Sequence, residues 1–180
     1  VQDSALWFGT NTGRIGAVDP RSGGTAYEPL VLHNKKINTL SACPGAPHLL
    51  ASASDDTVVA VWDVRMLGKT KPLVELTHPR GTQSAQWAPD GSGRLLTTCF
   101  DSHLRVFDGI VSGTASNEQR PSCIVRHNTE TGRWVVPFRA VWGPAADTIL
   151  CGSMKRSATL YSSSSGALVA NFEAEHMTAI

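Results

Sequence analysis

Residues 50–63, with the sequence LASASDDTVVAVWD, contain the pattern that decides the fold. Small residues are followed by Asp-Asp-Thr and then by an unbroken apolar run that ends in Trp62. Asp and Thr favour tight turns because their side chains bond to the nearby backbone. A short apolar run is typical of a strand that is buried on both faces. The segment therefore predicts a β-hairpin inside a protein core.

The same pattern recurs along the chain. Residues 6–19 and 95–108 align with it at offsets of 44 and 45 residues, and a weaker copy at 149–161 follows after 54. A second marker has the same spacing, because a proline closes a short apolar run at Pro44, Pro89 and Pro144. A period of about 45 residues with a closing Trp-Asp indicates four-stranded propeller blades. We therefore predict an all-β fold, a WD-repeat β-propeller.

The spacing of five polar and aromatic residues supports this prediction. His33, Ser52 or Ser54, Asp56 and Trp62 are spaced as in the hydrogen-bond tetrad of WD repeats. At about 45 residues a blade, the 180 residues make about four blades. WD-repeat propellers commonly have seven, so we expect residues 1–180 to be the middle or later half of one larger propeller domain. Its repeat cores are predicted at about 6–21, 37–65, 82–108 and 138–162.

Composition excludes several classes of protein. The chain has 16 Lys and Arg against 15 Asp and Glu, which excludes a polycation or an acidic tail. It has neither an apolar run long enough to span a membrane nor a recognisable signal peptide, so we expect no membrane contact. The four cysteines are far apart, without metal-ligand spacing, and are predicted to be reduced, buried and intracellular. We expect no metal and no cofactor.

Loop positions sort the charged residues onto two faces. In a propeller, the loops from strand b to c and from strand d to the next strand a lie on one face, which we call the upper face. The basic residues predicted there, as candidates for contact with DNA, are Lys35, Lys36, Arg126, His127, Arg133, Lys155 and Arg156. Few acidic residues accompany them, so a polyanion is a plausible partner for this face.

Trp134 lies in a polar insertion beside Arg133 rather than in a predicted strand. Two interpretations are open. An aromatic side chain between cations can wedge or stack on a base while the cations hold phosphates. Alternatively, Trp134 covers the top of a blade while Arg126 pairs with Glu130.

The opposite, lower face carries a repeated Asp-x-Arg motif. Asp19 and Arg21 follow one strand, and Asp63 and Arg65 follow the corresponding strand of the next repeat, after Trp62. An Asp and an Arg two residues apart can pair and present a fixed guanidinium fork. The motif predicts either a structural salt bridge or a patch where a partner docks.

Several strings in the chain resemble a known family. The first set resembles the WD repeat-containing protein 76 family, which includes the fungal "changed mutation rate" DNA-damage-binding protein: RHNTETGRW (126–134), PFRAVW (137–142) and CGSM (151–154). The second set is similar to the small subunit of the UV-damaged-DNA-binding complex, a sister branch: LHNKKI (32–37), ASAS (51–54), VWDVR (61–65) and LLTT (95–98).

The resemblance implies a nuclear, seven-bladed propeller that binds damaged or modified duplex DNA. It also implies docking to the damage-binding adaptor of a cullin-RING ubiquitin ligase. Lys36 matches a lysine near the DNA backbone, and Arg133 and Trp134 fall where the sister branch inserts a wedge. Lys155 and Arg156 match a neighbouring DNA-facing loop. Residues 62–65 match the adaptor-docking box, whereas Gly132-Arg133-Trp134 replaces the wedge tripeptide of the sister branch.

Two functions follow from these observations, and a third is disfavoured. The first is a DNA-binding propeller that acts as a substrate receptor of a ubiquitin ligase. The second is an interaction scaffold that binds a peptide, such as a histone tail, on its upper face without contacting DNA. An enzyme is disfavoured, because His48, His103 and His127 have no spacing suited to a nucleophile-base pair or a metal, and no phosphate-binding glycine loop is present.

Overall fold

The computed structural model describes residues 5–21, 23–68, 71–111, 119–131 and 136–173. Within these ranges the chain forms four antiparallel sheets, which we number as blades 1 to 4. Blade 1 contains β1 (Leu6–Gly9), β2 (Arg14–Asp19) and β3 (Gly24–Val31). Blade 2 contains β4 (Ile37–Cys43), β5 (Ala46–Ser54), β6 (Val58–Asp63) and β7 (Val74–Thr77), with a 3-10 helix at Val64–Met66.

The remaining two blades follow in chain order. Blade 3 contains β8 (Thr82–Trp87), β9 (Leu95–Cys99), β10 (His103–Phe107) and β11 (Cys123–Arg126). Blade 4 contains β12 (Val141–Trp142), β13 (Thr148–Ser153), β14 (Ser157–Ser162) and β15 (Leu168–Glu173). Each sheet joins consecutive strands in sequence order, as strands a, b, c and d in blades 2 to 4 and as b, c and d in blade 1. The predicted all-β WD-repeat propeller is confirmed.

Neighbouring blades are joined through their first strands. The backbone N–H of Ala85 in β8 donates to Thr39 Oγ1 in β4 at 3.0 Å, and Trp87 Nε1 donates to the Ser41 carbonyl, also at 3.0 Å. Blade 4 repeats the arrangement, because Trp142 Nε1 donates to the carbonyl oxygen of Gln86 at 3.0 Å. Trp87 and Trp142 thus join blades, and both pack in the core.

The middle strands are buried on both sides. Residues 49–54 of β5 and 59–62 of β6 are all buried, and every residue of β9 is buried. The alternation of small and large side chains, such as Ala51 and Ala53 beside Val59 and Val61, lets the sheets pack closely. The four cysteines are buried free thiols, and burial raises the pKa of Cys151 to about 12.

Blade 2 contains the complete predicted tetrad. His33 Nδ1 lies 2.9 Å from Asp56 Oδ2, and His33 Nε2 lies 2.7 Å from Ser52 Oγ. Trp62 Nε1 donates to the same Ser52 Oγ at 2.9 Å. Of the two candidate serines, the structure selects Ser52, whereas Ser54 donates to the carbonyl oxygen of Lys35. The tetrad joins the loop before strand a to strands b and c.

Blade 3 keeps the histidine but changes its partners. His78 Nδ1 donates to the Leu76 carbonyl oxygen, and Nε2 lies 3.0 Å from Thr97 Oγ1. The carboxylate that corresponds to Asp56 is Asp101, and it is bound instead by both terminal nitrogens of Arg105. Burial lowers the pKa of His78 to about 4, so its imidazole is neutral in the folded protein at neutral pH.

We expect His78 to make stability depend on pH. Its pKa is about 4 when folded and 6.5 when exposed, so the unfolded chain binds the proton more tightly between these values. The contribution of His78 is therefore fully present above pH 6.5 and is lost as the pH falls, by roughly 1–2 kcal/mol between pH 6.5 and 5. Urea unfolding at several pH values measures how the free energy of unfolding depends on pH. In His78→Gln the free energy lost between pH 6.5 and 5 should be smaller by that amount, and an unchanged pH dependence would contradict the assignment.

Candidate functional site

The upper face carries a one-sided set of positive charges. It is formed by the loops after strands b and d and by the adjoining strand ends. The exposed cations described there are Arg14, Lys35, Lys36, Arg80, Arg126, Arg139, Lys155 and Arg156. The acidic residues Asp55, Asp56 and Asp101 are partly or largely buried and engaged in hydrogen bonds. Two described carboxylates of this face are exposed, and each has a partner: Glu130 accepts from Arg80, and Glu173 accepts from Asn171. The accessible charge of this face is thus mainly positive.

The loop that carries Lys35 and Lys36 is held by its backbone. Ser54 Oγ donates to the Lys35 carbonyl oxygen at 3.3 Å, and the Asp55 N–H donates to the Lys36 carbonyl oxygen at 3.0 Å. The Asn34 N–H donates to Asp56 Oδ2 at 2.8 Å. Burial alone would raise the pKa of Asp56, but this N–H and the His33 ring lower it overall, which keeps the carboxylate ionised. Both lysine side chains remain exposed on a fixed loop.

Arg139 is a basic residue of this face that sequence reasoning did not single out. It lies just before β12, and its Nη2 donates to the Asn38 carbonyl oxygen at 3.3 Å, from blade 4 to blade 2. Lys36 and Arg139 line the same cavity of about 260 Å³, whose other lining residues are Asn38, Asp55, Gln83, Phe100, Val136 and Pro137. Its position within PFRAVW, a string already noted for its family resemblance, was the signal that could have identified Arg139.

Arg126 and His127 are neighbours in sequence but differ in exposure and in hydrogen bonding. Arg126 ends β11 and is exposed, as a phosphate-contacting residue requires. His127 is only 6% exposed, its Nε2 donates to the Gly152 carbonyl oxygen at 2.8 Å, and its Nδ1 lies 2.9 Å from the Tyr161 hydroxyl. The prediction of His127 as a DNA contact is corrected, because both ring nitrogens are engaged inside blade 4.

The pair of Arg126 with Glu130, which belonged to the second interpretation of Trp134, does not form. Glu130 Oε1 instead accepts from Arg80 Nη1 at 3.1 Å, and both side chains are more than half exposed. An exposed pair of this kind contributes little to stability. That interpretation assumed a partner four residues away, whereas in the structure the partner of Glu130 lies in the preceding loop between blades.

Lys155 and Arg156 form the turn between β13 and β14. Both are exposed, and among the described residues neither side chain has a hydrogen-bond or ion-pair partner. Arg133 and Trp134, the other predicted DNA-contacting residues, lie outside the described residues.

On the lower face, Asp63 and Arg65 form a tight fork. Arg65 Nε donates to Asp63 Oδ1 at 2.9 Å and Nη2 donates to Oδ2 at 2.6 Å. These bonds lower the pKa of Asp63 to about 2, so it stays charged at neutral pH. The Arg65 side chain is 55% exposed. Asp63 also caps the 3-10 helix by accepting from the Arg65 N–H.

The other members of the predicted docking patch differ from this fork. In blade 1, Asp19 Oδ1 accepts from the Arg21 N–H at 2.9 Å, just as Asp63 Oδ1 accepts from the Arg65 N–H in blade 2. Trp62 is only 6% exposed and bonds to Ser52, so its role as a docking contact is corrected to that of a core residue. A cavity of about 390 Å³ opens beside Asp63, with His48, Leu73 and Val111 among its lining residues.

Metal-binding clusters and membrane-spanning helices are both absent from the described residues. Among them, no group of three or more His, Cys, Asp or Glu side chains is arranged to hold a metal ion. No helix in this part of the chain is long and apolar enough to cross a membrane.

Comparison with known proteins identifies the relatives of the chain. Residues 28–63 match the family described as WD domain, G-beta repeat. The chain is 37% identical over 156 residues to WD repeat-containing protein 76 of Mus musculus, covering 84% of this chain and 24% of that protein. It is 32% identical over 191 residues to DNA damage-binding protein cmr1 of Aspergillus clavatus, covering 98% of this chain and 36% of the relative. Protein DAMAGED DNA-BINDING 2 of Arabidopsis thaliana is 32% identical over 136 residues, covering 74% of this chain and 24% of its own length.

The chain therefore spans about a third or less of the length of these relatives. Among solved structures, a chain of the mitotic checkpoint complex matches 94% of this chain and 49% of its own length, with a TM-score of 0.73 and 19% identity. That likeness shows the fold alone. The sequence matches confirm the resemblance, and the chain belongs to the WD-repeat family that contains WD repeat-containing protein 76 and the fungal DNA damage-binding proteins.

Proposed function

We propose that this chain is part of a nuclear, DNA-binding propeller that prefers damaged or modified duplex. The observation that carries the proposal is the one-sided charge of the upper face, where exposed cations from four blades outnumber accessible carboxylates. Phosphate contacts by Lys and Arg supply most non-specific affinity for DNA. The names of the relatives, which include DNA damage-binding proteins from fungi, support the same function.

Two kinds of residue have different roles in the proposed DNA interface. Lys35, Lys36, Arg126 and Arg133 contact phosphates, together with the turn of Lys155 and Arg156, and position the duplex without reading its sequence. Trp134 inserts at weakened base steps, which are easier to unstack when a base is damaged. Arg139 joins the phosphate contacts because it shares the cavity with Lys36.

The lower face is the proposed docking surface for the damage-binding adaptor of a cullin-RING ubiquitin ligase. The exposed Arg65 fork is rigid because Asp63 holds two of its nitrogens. The adjacent cavity, lined by His48 and Leu73, offers space for an apolar side chain of the partner. Asp19 and Arg21 extend the surface to blade 1. In this role the protein is a substrate receptor without catalytic activity of its own.

A peptide-binding scaffold is the second candidate function. The observation that favours it is the upper cavity of about 260 Å³, which has the size of a single side chain and contains Asp55 as well as cations. A histone tail bound there would need no contact with DNA. One measurement distinguishes the two functions, because only a DNA-binding propeller is expected to bind plain duplex.

We expect Lys36→Glu to weaken binding to plain and damaged duplex by a similar factor, about tenfold. Loss of one phosphate contact should reduce the slope of log affinity against log salt by about one. Fluorescence anisotropy over a salt series measures both quantities. Lys71→Glu is the matched control, since it makes the same charge change at an exposed lysine in the loop after β6, on the lower face. Equal loss in the two variants would show that general charge, not the upper face, governs binding.

We expect Trp134→Ala to reduce the preference for damaged over plain duplex while leaving affinity for plain duplex within about twofold. The reason is that a wedge acts mainly where bases are already unstacked, and base contacts of this type are worth roughly 1–3 kcal/mol. Competition between UV-damaged and undamaged probes measures the preference. Parallel loss of both affinities would refute the separate role of Trp134.

We expect Arg65→Ala to weaken binding to the ligase adaptor by about tenfold and to leave DNA affinity unchanged. The substitution removes the exposed fork, and buried interface arginines often dominate binding energy. Surface plasmon resonance with the purified adaptor measures the loss. Lys71→Ala, which removes a cation from the same face, provides the control, and unchanged adaptor binding in Arg65→Ala would exclude docking through the fork.

A further inference from the structure

The upper-face cavity of about 260 Å³ is lined by residues that differ in burial. Gln83 is its most buried lining residue, at 1% exposed, and we call its position the floor of the cavity. The half-buried side chains of Phe100 and Pro137 form apolar walls. The exposed lining residues, which we call the rim, are Lys36, Val136 and Arg139. The cavity is therefore open at a charged rim and ends at an amide.

The amide of Gln83 has an unsatisfied hydrogen-bond acceptor. Its Nε2 donates to the carbonyl oxygen of Thr129 at 3.3 Å, which fixes the orientation of the amide. Its Oε1 is buried and has no hydrogen-bond partner among the described residues. A buried acceptor without a partner is costly, because it has lost its hydrogen bond to water. A ligand that brings an N–H group to the floor would remove this cost.

The other polar groups of the cavity are either engaged or able to donate. Asn38 Nδ2 donates to Asp55 Oδ1 at 2.6 Å and to the Thr82 carbonyl oxygen at 2.9 Å, so both of its hydrogens are used. Arg139 donates through one nitrogen, Nη2, to the Asn38 carbonyl oxygen. Its other N–H groups and the ammonium of Lys36 can donate to carbonyl oxygens of a ligand at the rim.

The charge of the lining excludes several kinds of ligand side chain. Two cations, Lys36 and Arg139, accompany one carboxylate, Asp55, so the net charge of the lining is positive. An ammonium or guanidinium group would be repelled and would also lose its hydration on burial. A carboxylate or a phosphate would have no hydrogen to donate to Gln83 Oε1. A neutral amide has both an N–H donor and a carbonyl acceptor, and it carries no charge.

We propose that this cavity binds an acetylated lysine of a histone tail. The uncharged stem of that side chain lies between the apolar walls, its amide N–H donates to Gln83 Oε1, and carbonyl oxygens of the peptide accept from Lys36 and Arg139 at the rim. Acetylation removes the charge of lysine, so an unmodified tail binds less tightly. The inference rests on the peptide-binding function proposed above and names its ligand.

Fluorescence polarisation of the whole protein with histone-tail peptides, each prepared acetylated and unmodified, tests the inference. We expect at least one acetylated peptide to bind about tenfold more tightly than its unmodified form. Gln83→Leu removes the acceptor and should lower the affinity for that acetylated peptide by about tenfold. Gln86→Leu is the matched control, because it makes the same change in the same strand outside the cavity, and it should leave the affinity within about twofold.

A second variant tests the charge of the lining and does not depend on a buried substitution. Lys36→Gln combined with Arg139→Gln replaces two exposed side chains, so the fold should be retained. The net charge of the lining then becomes negative, because Asp55 remains. We expect the preference for the acetylated over the unmodified peptide to fall to about threefold or less. A preference that stays at its original value would contradict the role of charge in this selection.

The outcomes separate this inference from the proposed functions. If no acetylated peptide binds more tightly than its unmodified form, the inference is overturned, and the peptide-binding function stands when unmodified tails bind. If no peptide binds at all, both are overturned and the DNA-binding function stands. If Gln83→Leu lowers the affinity for damaged duplex but not for the acetylated peptide, the cavity receives a base instead, which also overturns the inference.

Discussion

The sheets of this propeller pack face to face, so the middle strands are buried on both sides and have little freedom in sequence. Leu50, Ala51 and Ser52 in β5 are at most 2% exposed, and so are Leu95 and Leu96 in β9. Polar groups can enter this region only when they are hydrogen-bonded, as Ser52 is to Trp62. Residues that meet a partner are therefore confined to loops and strand ends, and antiparallel pairing sends each loop to one of two faces.

The tetrad of blade 2 connects the buried middle strands to the surface of the protein. In blade 2 it links a buried tryptophan, through Ser52 and His33, to Asp56 at the turn of the upper face. Blades 3 and 4 retain the histidine and bury it, at 4% exposure for His78 and 6% for His127, but satisfy it with carbonyl oxygens. Once the histidine no longer needs the carboxylate, the turn residue is free to change. This freedom explains how Asp56 of blade 2 can correspond to Lys155 of blade 4 without loss of the buried core.

Much of the fold followed from the sequence because its determinants are local and repeated. The hairpin at 50–63, the 45-residue period and the spacing of His33, Ser52 and Trp62 all reflect contacts within one blade. Trp62 was assigned to docking although its bond to Ser52 lies within one blade, whereas the other differences came from contacts between elements distant in sequence. His127 is bonded to Tyr161, 34 residues away, and Glu130 to Arg80, 50 residues away. Arg139 reaches Asn38 across 101 residues, a distance at which no pattern in one sequence indicates proximity.

The two faces are separate enough to act independently. Strand β6 runs from Val58, next to the upper face, to Asp63 at the lower face over six residues. At about 3.3 Å a residue this places the two faces roughly 17–20 Å apart. Screening at physiological ionic strength acts over about 8 Å, so the fork of Asp63 and Arg65 does not alter the potential that Lys36 presents. A partner docked below would therefore leave the attraction of the upper face for a polyanion unchanged. Coupling between the two surfaces would have to pass through movement of the blades, and the buried tetrad of blade 2 opposes that movement.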